Sequence, residues 1–408
     1  MTSSVKFSEI AELVMGQSPK GADCNETGDG FPLLNGPTEF TERSPLPVQF
    51  TTAGKKFSKT GDILFCVRGS TTGRMNYADQ AYAIGRGIGA IRGINGYPTA
   101  YIRAVLEHNL DRLLVAATGS TFPNVGKDLL NNFEVNVCSP EQAQQANKLL
   151  VGIEDKRYLN SQTNQTLEEM AQAIFKSWFV DFDPVKAKIN GDKPEGMDEA
   201  TASLFPEKLV ESELGLIPEG WEAVQIGDIV ERLKPKKRYT KKQVEPYGKT
   251  PVYEQGASIL LGFHNDDAGF DASPEEPVFI FGDHTCITHL SCSKFDISSN
   301  VIPLKGSIRP TIWTYYAIQG KQEFQEYRRH WSEFIIKGVV LPPIELAEKY
   351  AELVTTNYLM MESLKRQSKE LEQLRDTLLP KLLSGEIELG ATEAMEPSLV
   401  SSPIEQYL

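Results

Sequence analysis

The segment 344–379 reads IELAEKYAELVTTNYLMMESLKRQSKELEQLRDTLL, and it decides the fold. Nine positions within it follow one another in alternating steps of three and four residues, and most of the nine are apolar. This spacing is the heptad pattern of a helix that packs along a partner helix. The predicted seam consists of Tyr350, Leu353, Asn357, Met360, Leu364, Gln367, Leu371, Leu374 and Leu378.

A second helical segment, 204 residues earlier, has the same register. Helices of roughly 30–35 residues would be roughly 45–50 Å long at about 1.5 Å per residue, which is longer than a small domain needs. We predict that the two helices pair with each other and that polar seam residues such as Asn357 fix their alignment. The alternative is that each helix packs only on its own half of the chain. The seam of the earlier helix consists of Ala146, Leu149, Ile153, Lys156, Asn160, Thr163, Leu167, Met170 and Ile174.

Each helical segment follows a β-rich region that ends in a short apolar strand and a proline, Pro140 in the first copy and Pro342-Pro343 in the second. Proline suits the first turn of a helix. We therefore predict an α+β protein: two mixed β-rich domains with pseudo-two-fold symmetry, separated by two long antiparallel coiled-coil helices. The predicted segments are a first β-rich domain at 1–138, a central helix at 139–180, an acidic linker at 181–219, a second β-rich domain at 220–340, a C-terminal helix at 341–385 and an acidic tail at 386–408.

The composition limits the classes of function. The 408 residues carry a formal net charge of −13, with 40% hydrophobic and 24% charged residues, so the chain is neither largely disordered nor a general polyanion binder. Any nucleic-acid site must be a local basic patch. The segment 192–222, with nine acidic residues and two lysines, predicts a solvated connector. Five cysteines, no secretory signal and no run of 18 apolar residues predict a cytoplasmic protein that does not span a membrane.

Positive charge is concentrated in two places. Residues 55–103 contain eight basic and two acidic residues, and 234–242 contains six basic residues in nine positions. Two polar loops, 118–127 and 327–332, precede the long helices. Lysines and arginines of this kind bind DNA phosphates, and arginine also binds guanine edges. The alternative for each patch is an ordinary solvated surface. The candidate DNA-binding residues are Arg68, Ser70, Thr71, Arg74, Ser120, Lys127, Lys236, Lys237, Arg238, Lys241, Lys242, Arg328 and Arg329.

Catalytic motifs are not found in the sequence. It contains no GxxxxGK[ST], HExxH or GxSxG motif, so we predict no catalytic residues. Residues 85–89 resemble a phosphate-binding glycine loop, but turn chemistry explains them better. Residues 181–183 place two acids at a helix end, where capping or docking is expected. The set His284, Cys286, His289 and Cys292 does not match zinc-site spacing, and we predict no metal site there.

The chain resembles a known family, the specificity subunit of type I restriction–modification systems. Two helix endings are the most specific part of the resemblance: 166–185, TLEEMAQAIFKSWFVDFDPV, and 371–387, LEQLRDTLLPKLLSGEI. The turns at 61–64 and 341–344 are similar to turns that recur in its target-recognition domains.

The resemblance implies a non-catalytic subunit that binds double-stranded DNA at a bipartite target, one half-site per β-rich domain, with the helices setting the gap. It also implies two methyltransferase subunits as partners, which supply S-adenosylmethionine, and restriction endonuclease/translocase subunits, which use ATP and Mg. No cofactor is expected in this chain. Two alternatives remain: a single-chain DNA-modifying enzyme, or a coiled-coil scaffold that binds only protein.

Overall fold

A computed structural model of the chain describes residues 3–118, 122–384 and 386–387. The chain divides into two compact units. The first takes in residues up to Leu159 together with those from Gln367 onward, and the second runs from Asn160 to Arg366. Both units combine sheets and helices, which confirms the α+β class. Among the described residues, no helix is both long enough and apolar enough to cross a membrane.

The first unit is built from short strands and ends in a long helix that continues into the second unit. Its strands are β1 (Ser3–Lys6), β2 (Ala11–Met15), β3 (Cys24–Asn25), β4 (Phe31–Leu34), β5 (Gln49–Thr51), β6 (Ile63–Cys66), β7 (Met75–Tyr77), β8 (Ala83–Ile84), β9 (Ile88–Gly93) and β10 (Glu134–Val137). Its helices are α1 (Phe7–Ile10), α2 (Thr99–His108), α3 (Leu110–Ala116), α4 (Lys127–Asn132) and α5 (Pro140–Phe179).

The second unit has a similar composition of elements, and its last helix continues back into the first unit. Its helices are α6 (Asp183–Ile189), α7 (Glu199–Ser203), α8 (Ile226–Ile229), α9 (Thr311–Ile318), α10 (Trp331–Phe334) and α11 (Ile344–Ser384). Its strands are β11 (Leu209–Ser212), β12 (Gly215–Pro218), β13 (Glu222–Gln225), β14 (Val230–Arg232), β15 (Arg238–Tyr239), β16 (Thr250–Tyr253), β17 (Leu260–His264), β18 (Val278–Gly282), β19 (Thr288–Ser291), β20 (Asp296–Ser298), β21 (Val301–Gly306) and β22 (Gly338–Leu341).

The two units share a strand order. A four-stranded sheet runs β2-β9-β6-β7 in the first and β14-β21-β18-β19 in the second. A second sheet contains β5-β4-β8 in the first unit and β17-β16-β20 in the second, and in each the pair β4–β8 or β16–β20 is parallel. The strand before each long helix, β10 or β22, pairs antiparallel with the first strand of its unit's β-rich part, β1 or β13. The chain therefore contains two copies of one topology.

Local contacts are repeated as well. The backbone N–H of Lys6 donates to Glu9 Oε1 (2.8 Å), and that of Gln225 donates to Asp228 Oδ2 (3.0 Å), so both copies cap a one-turn helix with an acid. The N–H of Gly93 donates to the Thr99 hydroxyl (3.1 Å). In the second copy, the N–H of Gly306 donates to the Thr311 hydroxyl in the same way (3.2 Å).

Both of these glycines are required by close backbone approach. A Cβ at Gly93 would lie 1.9 Å from the carbonyl oxygen of Tyr97, and one at Gly306 would lie 2.3 Å from that of Arg309. No side chain fits at these distances. The turn between the last strand of the main sheet and the following helix is therefore fixed in the same way twice.

The long helices pair antiparallel within each unit. In the second unit the Tyr350 hydroxyl donates to the carbonyl of Ala171 (3.0 Å), and the Asn357 side-chain amide reaches the carbonyl of Leu167 (3.4 Å). In the first unit Arg157 Nη2 lies 3.4 Å from Glu372 Oε1. Residue numbers rise along α5 as they fall along α11, which confirms the predicted pairing and its direction.

The predicted seam is wrong at every second position. Tyr350 is buried, and Asn357 and Leu364 are partly buried. In contrast, Leu353 and Met360 are about half exposed. The buried positions are one residue later, at Val354 and Met361. The earlier helix shows the same one-residue error at Met170, which is 48% exposed beside a buried Ala171. A step of three followed by four and a step of four followed by three place apolar residues on neighbouring faces of a helix. Burial of apolar residues against the β-rich parts selects the second of these patterns.

The acidic connector is more ordered than expected. The segment 181–219 contains α6, α7 and the hairpin of β11 and β12. Its buried side chains include Val185, Phe205 and Ile217. Apolar residues spaced among the charged ones therefore pack the segment onto the second unit. This corrects the prediction of a solvated connector. Of the predicted tail at 386–408, only 386 and 387 are among the described residues.

Candidate nucleic-acid interface

The first predicted loop is the turn that joins β6 and β7. The Gly73 N–H donates to the carbonyl of Cys66, and the Cys66 N–H donates back to that of Arg74, both at 2.9 Å. Gly69 and Gly73 both have a φ of +97°, a backbone conformation that glycine adopts without strain. The side chains of Arg68 and Ser70 lie towards the solvent side of this turn, and Arg74 is also exposed, whereas Thr71 is partly buried.

The second predicted loop lies against this turn. The Val125 N–H donates to the carbonyl of Val67 (2.8 Å), and the Thr72 hydroxyl donates to that of Pro123 (2.9 Å). Lys127, the first residue of α4, is exposed beside them. The structure therefore brings Arg68 and its neighbours together with Lys127, as a DNA-binding role requires. Ser120 lies outside the described residues.

Two arginines of the first unit change the set of candidate DNA-binding residues. Arg74 approaches the carbonyls of Pro37 and Phe40 at 3.4 and 3.5 Å, so its guanidinium is partly used by the protein. Arg86, which was not among the candidate residues, is exposed in the turn between β8 and β9. That turn is bonded to the first loop, because the Val67 N–H donates to the carbonyl of Gly87 (2.9 Å). The excess of basic residues at 55–103 is the sequence feature that could have identified Arg86 as a candidate DNA-binding residue.

The glycines at 85–89 form this turn and are followed by β9, with no helix. A Cβ at Gly87 would lie 2.2 Å from the carbonyl oxygen of Asn35. Close packing of two backbone segments therefore explains the glycines, as turn chemistry predicts.

The second unit builds an equivalent junction from different residues. The Asp283 N–H donates to the carbonyl of Asn300 (2.9 Å), as Val67 does to Gly87. The His330 N–H donates to the carbonyl of Asp283 (2.8 Å), as Val125 does to Val67. In both units, a hairpin turn of the main sheet is thus joined to the loop before a short helix and to a second turn.

A cleft of about 440 Å³ opens at this junction of the second unit. Three arginines contribute to it, and Arg329 is strongly exposed, with its Nε 3.8 Å from Asp283 Oδ2. Asp283 Oδ1 is occupied by the N–H groups of His330 and Trp331. The lining residues are Arg232, Arg238, Asp283, Ser299, Asn300, Val301, Ile302, Arg329, Trp331 and Ser332.

Arg238 differs from the surface cation that the sequence predicted. Its Nη1 donates to the carbonyls of Ser298 (2.7 Å) and Val301 (2.9 Å), so it holds the turn between β20 and β21. Partial burial, and then the nearby Arg232, lower the pKa of this guanidinium. Arg328 is also engaged by the protein, because it forms ion pairs with Glu326 and Glu333.

The lysines of the basic run remain in solvent. Lys236, Lys241 and Lys242 are exposed. Lys237 is about half exposed, and its Nζ lies 4.2 Å from the centroid of the Tyr239 ring and 3.4 Å from Asp266 Oδ2. These four lysines are therefore accessible from solvent, although Asp266 offsets the charge of Lys237.

His284, His289 and Cys292 of the second unit lie in different surroundings. His284 stacks on Tyr327, with 4.8 Å between ring centroids. Burial, reinforced by Lys365, lowers the pKa of His289 to about 4, and burial raises the pKa of the Cys292 thiol to about 12. Within the part of the chain that the structure describes, no three His, Cys, Asp or Glu side chains are grouped to hold a metal ion.

The acids at 181–183 close the end of α5. Asp183 Oδ2 accepts from the Ser177 hydroxyl (2.8 Å), and Asp181 pairs with Lys176. Phe182 between them has a φ of +57°, which reverses the chain after the helix. The two carboxylates therefore bind side chains near the end of α5, and the choice between capping and docking stays a prediction.

Residues 3–169 match the family described as Type I restriction modification DNA specificity domain. The chain is 25% identical to the Type I restriction enzyme HindI specificity subunit of Haemophilus influenzae, over 86% of this chain and 90% of that protein. It is 23% identical to the Type I restriction enzyme MjaIX specificity subunit of Methanocaldococcus jannaschii, over 66% of this chain and 64% of that protein. A crystal structure of the Type-I restriction-modification system S subunit from M. genitalium aligns with a TM-score of 0.49 at 15% identity, over 94% and 96% of the two chains.

Proposed function

The chain belongs to the specificity-subunit family of type I restriction–modification systems, and on that premise we propose that it selects the DNA sequence on which partner subunits act. It is the DNA-binding component and not the catalytic one. The single observation that carries this function is the family match over 3–169, which contains the hairpin turn and loop described above.

The geometry supports a bipartite target. Each unit presents one junction of a hairpin turn, a loop and a second turn, and each junction displays exposed cations. In a chain with a net charge of −13, such local groups are where DNA phosphates would bind. The residues at the two junctions differ, so the two half-sites should differ in sequence as well.

We assign direct DNA contact to the exposed residues and a positioning role to those engaged by the protein. Arg238 and Arg328 belong to the second group, because their guanidinium groups already bind carbonyls or carboxylates. The direct contacts in the first unit are Arg68, Ser70 and Lys127, with Ser120 retained from the sequence. Thr71, which is partly buried, and Arg74, which approaches two carbonyls, belong with the positioning residues. Those in the second unit are Lys236, Lys237, Lys241, Lys242 and Arg329.

The chemistry would come from other polypeptides. We propose that two methyltransferase subunits bind the long helices and supply S-adenosylmethionine, and that restriction endonuclease/translocase subunits supply ATP-driven cleavage with Mg. The chain itself would need no cofactor, and it would act in the cytoplasm, where its DNA is.

Co-expression with the methyltransferase encoded beside it, followed by sequencing of modified adenines, tests the proposal. The expected result is methylation at a single bipartite motif with a fixed gap. Methyltransferase expressed without this chain is the control and should produce no such motif. Methylation that is independent of this chain, or that is scattered without a motif, would contradict the proposed function.

A further inference from the structure

Arg232 is an exposed cation of the second unit that the basic run does not include. It is the last residue of β14 and lines the cleft beside Asn300 and Trp331. Its Cζ lies 5.7 Å from the centroid of the Trp331 ring. Among the described residues, no carboxylate pairs with Arg232 and no hydrogen bond uses its guanidinium, in contrast to Arg238 and Arg328.

Stacking on an aromatic face leaves the in-plane donors of an arginine free. A guanidinium is planar, so contact between its face and a ring holds its orientation without using any N–H group. The two N–H groups at one edge then match a pair of acceptors in the same plane. Guanine offers such a pair, O6 and N7, in the major groove.

The surrounding groups fix this arrangement. The backbone N–H of Trp331 donates to Asp283 Oδ1 (3.0 Å), which anchors the residue that supports Arg232. Arg238 holds the turn that carries Asn300, on the same cleft. Asp283 forms its ion pair with Arg329, and among the described residues no ion pair joins it to Arg232. The cleft therefore presents a guanidinium that lies over the Trp331 ring and, among the described residues, has no ion pair.

The counterpart positions in the first unit lack this pair. Strand pairing places Arg232 opposite Leu304 and Leu13 opposite Ile91, so Leu13 is the counterpart of Arg232. Leu13 is buried. By helix position the counterpart of Trp331 is Lys127, and by the hydrogen bond of the loop it is Gly126, so neither counterpart is aromatic. The Arg–Trp pair is thus specific to the second unit.

We propose that Arg232, supported by Trp331, determines specificity for one guanine in the half-site bound by the second unit. This rests on the proposed function and adds the base and the residue that recognises it. The contact is a bidentate one, from two N–H groups of Arg232 to O6 and N7.

The first test compares methylation motifs of the complex formed with the methyltransferase subunits. Arg232→Leu, which introduces the counterpart residue, should accept other bases at one guanine of one half-site and leave the other half-site unchanged. Arg232→Lys keeps the charge but not the fork, and it should relax the same position. An unchanged motif, or an even reduction of methylation at all sites, would overturn the proposal, since the latter indicates a phosphate contact.

The second test measures binding to DNA in which 7-deazaguanine replaces each guanine of the target in turn. The affinity of the wild-type complex should fall on the order of tenfold to a hundredfold at one position. The complex with Arg232→Leu should show no further decrease there. Equal sensitivity of the two complexes would refute the role of Arg232 while leaving the proposed function intact. Absence of any sequence preference in the wild-type complex would instead refute the proposed function.

Discussion

The Asp62 carboxylate binds three donors at the turn that leads into β6. Arg92 donates from Nε (2.9 Å) and Nη2 (2.6 Å), and the Lys59 N–H donates at 2.8 Å. The side chain of Asp62 is only 3% exposed, and that of Arg92 is 16% exposed. This bidentate pair fixes the turn that Gly61 and Asp62 form at the start of β6.

Removal of the Asp62 carboxylate should destabilise the first unit strongly. Asp62→Ala leaves the largely buried Arg92 guanidinium with only its longer ion pair to Glu12 (3.5 Å), and we expect the free energy of unfolding to fall by about 3 kcal/mol. Asp155→Ala is the matched control, because Asp155 pairs with Arg43 at 2.7 Å but is 50% exposed. Its cost should be about 0–1 kcal/mol. Urea denaturation measures both, and equal costs would contradict the importance of burial here.

Charge reversal of Lys236 and Lys237 tests DNA binding without disturbing the fold. Lys236 is exposed and Lys237 is about half exposed, so Lys236→Glu with Lys237→Glu should weaken DNA binding by the complex and leave its assembly intact. The salt dependence of binding should also become weaker, by roughly 0.9 in the logarithmic slope for each phosphate that the protein no longer neutralises. Arg238 is left unchanged, because its side chain holds a turn.

The control for this experiment carries the same change of net charge elsewhere. Lys193→Glu with Lys208→Glu places it in the acidic connector, where both lysines are exposed. Affinity should stay near that of the wild type. If the two double variants weaken binding equally, a general charge effect explains the weaker binding, and a local interaction with DNA does not.

At the scale of elements, the phase of α11 is testable with two neighbouring methionines. Met361 is 7% exposed and Met360 is 49% exposed. Met361→Ala should therefore lower the free energy of unfolding by about 2–3 kcal/mol. Met360→Ala should change it by about 0.5 kcal/mol or less. If Met360→Ala lowered the free energy of unfolding more than Met361→Ala did, the seam that the heptad spacing predicts would be correct. Denaturant unfolding measures both changes.

Some elements of the fold can be predicted from the sequence more easily than others. The long helices were predictable, because heptad spacing persists over many turns and tertiary packing has only to choose its phase. The sheets were not, because strands such as β8 and β20 contain two or three residues and are paired through long-range contacts. The same holds for the candidate site: a run of lysines is visible in the sequence, but Arg232 acquires its role only from Trp331, about a hundred residues away.

The whole molecule is a duplication whose copies have diverged where they would contact DNA. The strand order, the acid-capped one-turn helix and the glycine turns are repeated in both units. At the junctions, by contrast, the first unit displays Arg68 and Lys127 where the second displays a cleft with Arg232 and Arg329. Two half-sites of different sequence require different contact residues, and these can be carried on the same architecture.

Our last prediction concerns the gap between those half-sites. The division of the chain assigns α5 to the first unit up to Leu159 and to the second from Asn160, and α11 returns between Arg366 and Gln367. Because the helices pair antiparallel, seven residues must be inserted at both points to preserve the heptad register. At about 1.5 Å per residue and 3.4 Å per base pair, the gap in the methylated motif should increase by about three base pairs.

Two controls distinguish a spacer role of the helices from a general effect of insertion. Seven residues added after Gly191, in the exposed part of the connector, should leave the motif unchanged. Insertion into α5 alone leaves two helical turns without partners and should impair assembly with the methyltransferase. If the paired insertion yields an active complex with the original gap, the helices do not set the distance, and the positions of the half-sites must be fixed by the partner subunits instead.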